Sequence, residues 1–204
     1  LVHADEVPAN GITVDDLDRE FFEKWLKKEF NGSLSIDERP LVQLLQNMNL
    51  AKDGFLNIAG ALLFGKGIEF KLPMFIVKAV AFPGNVPTSN SYLDSRDLTG
   101  NISDVFRKAL SFVVYNLKQV QGDKNFNTTG ELEIPLVVFE ELIANALIHR
   151  DYFLSAPIKL FVFQNRIEII SPGHLPNNLT VENIKLGQSN VRNPILNSFA
   201  TKGI

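Results

Sequence analysis

The feature that most constrains this chain is an apolar, helix-forming stretch over residues 136–148 that carries a regular polar pattern. Within it only Glu140, Glu141 and Asn145 are polar. Glu141, Asn145 and His149 follow one another at intervals of four residues, so they lie along one face of a helix. The other positions are apolar, which predicts a helix buried on almost every side. A carboxylate and an amide are costly to bury without partners, so this polar stripe (Glu141, Asn145 and His149) is predicted to face a cavity, a ligand or a metal.

A purely structural role for the polar stripe is the alternative. Polar groups in buried helices usually have hydrogen-bond partners within the protein. In that case Asn145 bonds a neighbouring backbone group, Glu141 pairs with an arginine, and His149 is a satisfied histidine at the helix end. The stripe alone does not decide between the two interpretations.

Composition excludes several classes of function. Of 204 residues, 45% are hydrophobic and 21% charged, and the net charge is −3, so the chain lacks the basic excess typical of nucleic-acid-binding proteins. The absence of cysteine excludes disulfides, cysteine nucleophiles and thiolate metal sites, and fits a reducing cytoplasm. No apolar run approaches the length of about 18 residues that a membrane span needs. We expect a cytoplasmic piece of a longer protein, since the sequence starts without methionine and ends abruptly.

The element pattern predicts an α+β fold in two parts: a helical N-terminal module over residues 1–66 and an α+β domain over residues 67–204. Residues 1–12 are expected to be a loose lead-in. Besides the apolar helix, helices are predicted at 14–30, 40–47, 57–64, 102–117, 177–187 and 194–201, and strands at 75–82, 131–135, 157–164 and 166–171, the last two as a hairpin. Residues 14–64 resemble a helix-turn-helix bundle, a third possibility for function, but no helix there is basic enough to favour DNA binding.

Two stretches resemble functional motifs by coincidence. Residues 60–67 nearly match a phosphate-binding P-loop, but Gly67 stands where Ser or Thr should hold Mg²⁺, and no strand precedes the stretch. Residues 149–151 mimic the catalytic loop of protein kinases, but Ala156 occupies the position where that motif requires Asn. The three histidines lack the spacing of zinc ligands. None of these patterns therefore predicts the function.

A family resemblance covers most of the chain. The order His-Arg-Asp-Tyr, Ser-Pro-Gly and Arg-Asn-Pro over residues 149–194 resembles bacterial RecG-related ATP-dependent DNA helicases, a family also described as transcriptional regulators with an AlbA-like (Schlafen-type) N-terminal domain. Residues 57–66 fit the same family. Between residues 134 and 194 the full set of matching residues is Ile134, Pro135, Glu141, Asn145, Ala146, His149, Arg150, Asp151, Tyr152, Arg166, Ile167, Glu168, Ile169, Ser171, Pro172, Gly173, Leu175, Pro176, Arg192, Asn193 and Pro194.

The resemblance implies a two-layer α/β sandwich like the ATPase fold of gyrase, MutL and sensor histidine kinases. A helix in that fold carries Glu-x-x-x-Asn, and Glu141 and Asn145 match both positions. The resemblance therefore implies that Glu141 is the catalytic residue that positions the attacking water, and that Asn145 binds the metal of a Mg–ATP cofactor. It implies a nucleotide-binding role for a wider set: Asn145, His149, Asp151, Ser171, Gly173 and Arg192, with Arg192 either a phosphate contact or a partner of Asp151.

Three departures from the ATPase pattern bear on activity. Ser171 stands where that fold uses an Asp to read adenine, Leu175 replaces the second glycine of the same motif, and the glycine-rich lid is expected beyond Gly203, where the sequence ends. We therefore expect no ATP hydrolysis by these 204 residues, although the full-length protein could hydrolyse ATP. The chain also lacks P-loop motor domains, so helicase activity is not expected.

Two functions remain. The first is a nucleotide-binding regulatory module of a bacterial, DNA-associated transcriptional regulator that contacts DNA through regions outside this chain. The second is a catalytically decayed ATPase-like scaffold that forms a homodimer and positions a nucleic-acid-binding domain, in which Glu141 and Asp151 pair with Arg150, Arg166 or Arg192. An open pocket beside the polar stripe favours the first function, and salt bridges that consume its carboxylate favour the second.

Overall fold

A computed structural model of the chain describes residues 2–32, 40–87, 91–121, 134–176 and 179–200. These residues form seven α-helices and two β-sheets, which confirms the predicted α+β class. The helices are α1 (Arg19–Glu29), α2 (Leu41–Asn47), α3 (Ile58–Phe64), α4 (Ile102–Gln121), α5 (Leu136–Ile148), α6 (Val181–Lys185) and α7 (Pro194–Ala200). The strands are β1 (Pro8–Thr13), β2 (Ala51–Lys52), β3 (Phe55–Asn57), β4 (Val77–Ala81), β5 (Asp94–Leu98), β6 (Ile158–Val162) and β7 (Ile167–Ile170). Within the described ranges no helix combines the length and apolar character needed to cross a membrane.

The first sheet has three antiparallel strands in the order β1-β3-β2. The expectation of a loose lead-in over residues 1–12 is wrong, because β1 pairs with β3 and fully buries Ala9 and Ile12. Pro8 and Gly11 lie within this strand and are both depleted in strands. They therefore mask the strand pattern in the sequence.

The first helix starts later than the sequence predicts. The side chain of Asp18 accepts a hydrogen bond of 3.0 Å from the backbone N–H of Phe21 and so caps α1, which begins at Arg19. The acidic residues before it belong to a separate 3₁₀ turn, Val14–Asp16. An acidic first turn is typical of a helix start, which explains why the predicted boundary came too early in the chain.

One hydrophobic core surrounds α3, all seven residues of which are buried. Aromatic rings fill this core: the ring centroid of Trp25 lies 5.1 Å from that of Phe64 and 5.2 Å from that of Phe199. Because Phe199 belongs to α7, the last helix of the described chain packs into the core that the N-terminal residues form. The division at residue 66 stays a prediction, and α7 joins the two sides of it.

The second sheet has four strands in the order β5-β4-β6-β7. β4 and β6 are parallel, with Val77 opposite Ile158, and the other two pairings are antiparallel. Helices α4 and α5 pack against this sheet, and the second hydrophobic core lies between them and the strands. This arrangement is the two-layer α/β sandwich that the sequence predicts. The predicted hairpin over residues 157–171 is present as β6 and β7.

The sequence pattern does not predict the edge strand β5. Of its five residues only Leu98 is buried, and the other four are polar, so the segment lacks the alternation that indicates a strand. It is nevertheless paired with β4 along its whole length. The predicted strand over residues 131–135 lies mostly outside the described residues, and so does the region of Gly203 at which the lid was expected.

Candidate functional site

Helix α5 has one face against the core and one face open to solvent. Phe139, Ile143 and Leu147 are buried against the second sheet and α4. Val137 and Leu142 are 63% and 49% exposed. The expectation of a helix buried on almost every side is therefore wrong. In a two-layer sandwich only the face of a helix that meets the sheet is covered, and apolar composition does not reveal how many layers a fold has.

The polar stripe lies on the open face of α5. Glu141 and Asn145 are both exposed, and the Asn145 amide nitrogen Nδ2 donates a hydrogen bond of 2.8 Å to Glu141 Oε1. This bond turns the Asn145 amide oxygen Oδ1 away from the carboxylate. Within the described ranges Glu141 forms no salt bridge. The pairing of Glu141 with an arginine, which the structural alternative requires, is therefore not found there.

His149 is the C-terminal end of the stripe. It is the C-cap residue of α5, its side chain is partly buried, and its backbone N–H donates to the Asn145 carbonyl at 2.9 Å. Burial lowers the pKa of His149 below its ordinary value of 6.5, and the positive charge of Arg192 lowers it further, while Glu141 acts in the opposite direction. His149 thus lies within electrostatic range of both ends of the candidate site.

The turn after β7 is bonded to the last turns of α5. The Ser171 hydroxyl donates a hydrogen bond of 2.9 Å to the carbonyl of Ala146. The backbone N–H of Asp151 donates to the Pro172 carbonyl at 2.9 Å. These two bonds bring Ser171 and Gly173, the residues that the resemblance assigns to base recognition, next to the end of the helix that carries Asn145.

An ion pair lies beside Gly173, which is itself exposed. The Arg192 guanidinium lies 3.3 Å from Asp151 Oδ2, and Nη2 of Arg192 also donates a hydrogen bond to the His174 carbonyl. Gly173 has a φ of +115°, and a Cβ atom at this position would lie 2.3 Å from Arg192 Nη1 and 2.6 Å from the Asp151 Cβ. Glycine is thus required by both backbone conformation and space. Of the two roles that the sequence left open for Arg192, the structure has the pairing with Asp151.

Asn193 is a fully buried residue that sequence reasoning did not assign to the site. Its Nδ2 donates hydrogen bonds of 2.7 Å and 2.8 Å to the carbonyls of Ile148 and Arg150. These carbonyls lie at the C-terminal end of α5, where backbone acceptors lack partners within the helix. Asn193 therefore fixes the end of the helix that carries the polar stripe. Its place directly before Pro194 is the one local signal, because proline favours the first position of a helix.

Asp5 caps α7 in place of the residue next to that helix. Its Oδ2 accepts hydrogen bonds of 2.8 Å and 3.1 Å from the backbone N–H groups of Ile195 and Leu196. Asn193, in the usual capping position, is thereby free to bond α5. Burial raises the pKa of Asp5, although the two backbone hydrogen bonds act against this. The N-terminal segment is thus linked through α7 to the end of α5.

Arg150 holds the loop that follows α5. This buried guanidinium lies over the rings of Phe75 and Tyr152, 4.5 Å and 5.0 Å from their centroids. It donates hydrogen bonds of 2.8 Å and 2.5 Å to the carbonyls of Leu154 and Ala156. Burial lowers its pKa. The scaffold alternative predicts Arg150 or Arg166 as a partner of Glu141 or Asp151, but in the described ranges Arg150 bonds backbone carbonyls and Arg166 pairs with Glu168 at 2.6 Å.

Two cavities lie near the polar stripe without including Asn145. An apolar cavity of about 220 Å³ lies between α3, α4, α5 and α7 and is lined on α5 by Ala144, Leu147 and Ile148. A cavity of about 230 Å³ is lined by Asp151 and Arg192 together with residues of the N-terminal segment. Neither of these two cavities is lined by Glu141, Asn145 or His149. In the part of the chain that the structure describes, no group of three or more His, Asp or Glu side chains is arranged to hold a metal ion.

Comparison with known families matches the C-terminal part of the chain. Residues 155–202 match the family described as "Putative ATP-dependent DNA helicase recG C-terminal". The match confirms the expected RecG-related, ATPase-like C-terminal region. The matched region includes Ser171, Gly173 and Arg192 but begins after Glu141 and Asn145. The evidence for a site at the polar stripe therefore comes from its geometry and not from this match.

A solved structure shares the fold. The crystal structure of the DIP2311 protein from Corynebacterium diphtheriae superimposes with a TM-score of 0.66 at 20% sequence identity, over 99% of this chain and 33% of that one. At this identity the similarity supports the fold alone. The chain spans about 33% of the length of that protein. No curated protein matches the chain.

Proposed function

We propose that this chain is a nucleotide-binding module in which α5 binds the Mg²⁺–phosphate end of ATP. The observation that carries the proposal is the exposed Glu141–Asn145 pair, held by a hydrogen bond of 2.8 Å and free of salt bridges in the described ranges. Two exposed polar side chains in the middle of an apolar helix contribute little to packing. They lie on the open face of α5 together with the exposed apolar side chains of Val137 and Leu142, and an open face that is otherwise apolar is typical of a surface that contacts a ligand or a partner.

The donor set fits Mg²⁺. This ion prefers oxygen ligands, keeps several waters, and usually takes only one or two ligands from the protein beside the phosphates. Because the Asn145 Nδ2 group donates to Glu141, the amide oxygen Oδ1 is the atom available to the ion. When bound, Mg²⁺ would neutralise phosphate charge, and the second carboxylate oxygen of Glu141 would accept a hydrogen bond from a water molecule.

We expect binding without turnover by this chain. Hydrolysis of a phosphoanhydride requires a site that excludes bulk water and supplies positive charge to the transition state. Glu141 is exposed, and Arg192, the cation assigned to the site, is paired with Asp151. In the full-length protein further residues would have to close the site. The wider proposal is a regulatory module of a cytoplasmic bacterial transcriptional regulator, with DNA bound by other regions of the protein.

Titration calorimetry with Mg–ATP tests the proposal. The wild-type chain should bind Mg–ATP, and Asn145→Ala should weaken binding by about tenfold or more, because interactions with charged groups contribute roughly 1.5–3 kcal/mol. Asn197→Ala on α7 is the matched control and should bind like the wild type. Absence of heat at millimolar nucleotide, or equal binding by Asn145→Ala, would contradict the proposal.

A decayed scaffold is the second candidate. The observation that favours it is the ion pair of Arg192 and Asp151, which lies beside Gly173 at the edge assigned to base recognition. Under this candidate the ATPase-like fold positions other domains of a homodimer and binds no nucleotide. The same titration separates the two, since a scaffold gives no heat with either the wild type or Asn145→Ala.

A further inference from the structure

We infer that the apolar cavity between α3, α4, α5 and α7 binds a small uncharged apolar molecule, of the size of a benzene ring with one or two small substituents. Each of the four helices contributes at least one apolar side chain to the wall, and no lining residue carries a polar side chain. The inference concerns a second site, separate from the polar stripe, and does not depend on nucleotide binding.

The apolar cavity has a buried end and an end that solvent reaches. Leu63, Leu147 and Leu196 line it from three different helices, and all three side chains are buried. Phe106 on α4 and Ala144 on α5 also line it and are only partly buried. A ligand can therefore enter between α4 and α5 and reach the buried leucines without unfolding of the chain.

The walls of the apolar cavity are held in place by contacts made elsewhere. Helix α3 is buried in the first core, and α5 packs against the second sheet through Phe139 and Ile143. Asn193 bonds the end of α5 at 2.7 Å, and Asp5 caps α7. The helices cannot close the cavity without loss of these contacts, so the site is formed before a ligand arrives, as is usual for small-molecule sites.

Water is a poor occupant of this cavity. A buried water needs about two to four polar partners, and an apolar cavity of about 150 Å³ stays dry and binds benzene. The cavity here has a volume of about 220 Å³ and only apolar side chains around it. An apolar ligand would supply the contacts that the empty walls lack and would remove its own surface from water.

The same walls exclude polar and charged ligands. A charge or a hydroxyl group that leaves water without a new hydrogen-bond partner is costly to bury. The side chains of Leu63, Leu147 and Leu196 offer no such partner at the buried end. Toluene and phenol have nearly the same shape and differ in one methyl or hydroxyl group, so the cavity should prefer toluene.

Titration calorimetry of the wild-type chain with toluene and with phenol tests this preference. Toluene should bind with a dissociation constant on the order of 0.1–1 mM, and phenol at least about tenfold more weakly. Toluene at about ten times its dissociation constant should also raise the midpoint of thermal unfolding by about 3–5 °C, because it binds only the folded chain. Absence of toluene binding, or phenol binding as tight as that of toluene, would overturn the inference. A dimer in gel filtration that binds no toluene would assign the cavity to a second copy of the chain instead.

Substitutions that fill the cavity test its location. Ala144→Leu on α5 and Ala200→Leu on α7 each add three carbon atoms to a lining residue, and each should weaken toluene binding by about tenfold or more. Ala156→Leu is the matched control, because Ala156 is a partly buried alanine that does not line the cavity, and this variant should bind toluene like the wild type. Wild-type affinity in a folded Ala144→Leu or Ala200→Leu chain would overturn the assignment of the site, and the comparison of toluene with phenol decides the inference if neither variant folds.

Discussion

Substitution of Asn193 by alanine should destabilise the chain by more than the removal of a single side-chain amide suggests. The Nδ2 group of Asn193 donates to the carbonyls of Ile148 and Arg150 at 2.7 Å and 2.8 Å, and the residue is fully buried. Asn193→Ala removes the donor of both carbonyls, and the hydrogen bond to the Arg150 carbonyl is buried. The cost is therefore the loss of two hydrogen bonds together with incomplete solvation of two acceptors.

The magnitude follows from these two bonds. A typical hydrogen bond contributes about 0.5–1.5 kcal/mol, and a buried group left unpaired costs about 1–3 kcal/mol. The Asn193 Oδ1 atom has no partner in the described ranges, so its removal offsets part of the loss. We expect the free energy of unfolding to fall by about 2–4 kcal/mol.

Denaturant unfolding followed by tryptophan fluorescence measures this change. Trp25 is the only tryptophan, and its ring lies 5.2 Å from that of Phe199 on α7, so its emission reports on the helix that follows Asn193. Asn197→Ala makes the same substitution one turn along α7 and should change the free energy of unfolding by less than about 0.5 kcal/mol.

A loss of less than about 1 kcal/mol for Asn193→Ala, or a loss equal to that of Asn197→Ala, would refute the reasoning. It would mean that the end of α5 finds other donors and that Asn193 does not fix the helix that carries Glu141 and Asn145.

Three further predictions concern stability and pH. Asp5→Ala removes the acceptor that caps α7 and should lower the free energy of unfolding by about 1–3 kcal/mol in denaturant titration, while Asp5→Asn, which keeps an oxygen there, should cost less. The pKa of His149 in the folded state is lowered below 6.5, so protonation is disfavoured in the folded state. The free energy of unfolding should therefore decrease as pH falls through 6.5 toward the lowered pKa. The substitution His149→Gln should remove this part of the pH dependence. Gly173→Ala should destabilise by about 1–3 kcal/mol through collision with Arg192, and more than Gly11→Ala, where φ is also positive but a Cβ atom meets no neighbour.

Strong periodic patterns made much of the fold predictable. The helix over residues 102–117 and the apolar helix over residues 136–148 correspond to α4 and α5, and the hairpin over residues 157–171 to β6 and β7. In each, several residues of one face are buried together, so the local pattern and the packing agree. Strands β1 and β5 bury one or two residues each, and too few buried positions leave no period to detect.

The candidate site was predictable only in part. The spacing of Glu141, Asn145 and His149 correctly placed them on one helix, but the sequence overstated how far that helix is buried. The contacts of Asn193 and Asp5 connect residues 43 to 191 positions apart, and no local pattern encodes partners at such separations. The pairing of Arg192 with Asp151 was one of two open alternatives; the structure contains this ion pair, and the phosphate contact of Arg192 stays a prediction.

The most direct test of the central claim is whether the effect of Asn145 on ATP binding depends on Mg²⁺. Dissociation constants are measured by calorimetry for the wild type and for Asn145→Ala, each with Mg²⁺ and with Mg²⁺ removed by a chelator. If Asn145 binds the metal, the factor by which Mg²⁺ strengthens ATP binding should be about tenfold or more larger in the wild type than in Asn145→Ala, corresponding to a coupling of about 1.4 kcal/mol or more. Equal strengthening in both proteins, or no ATP binding by the wild type, would contradict the account.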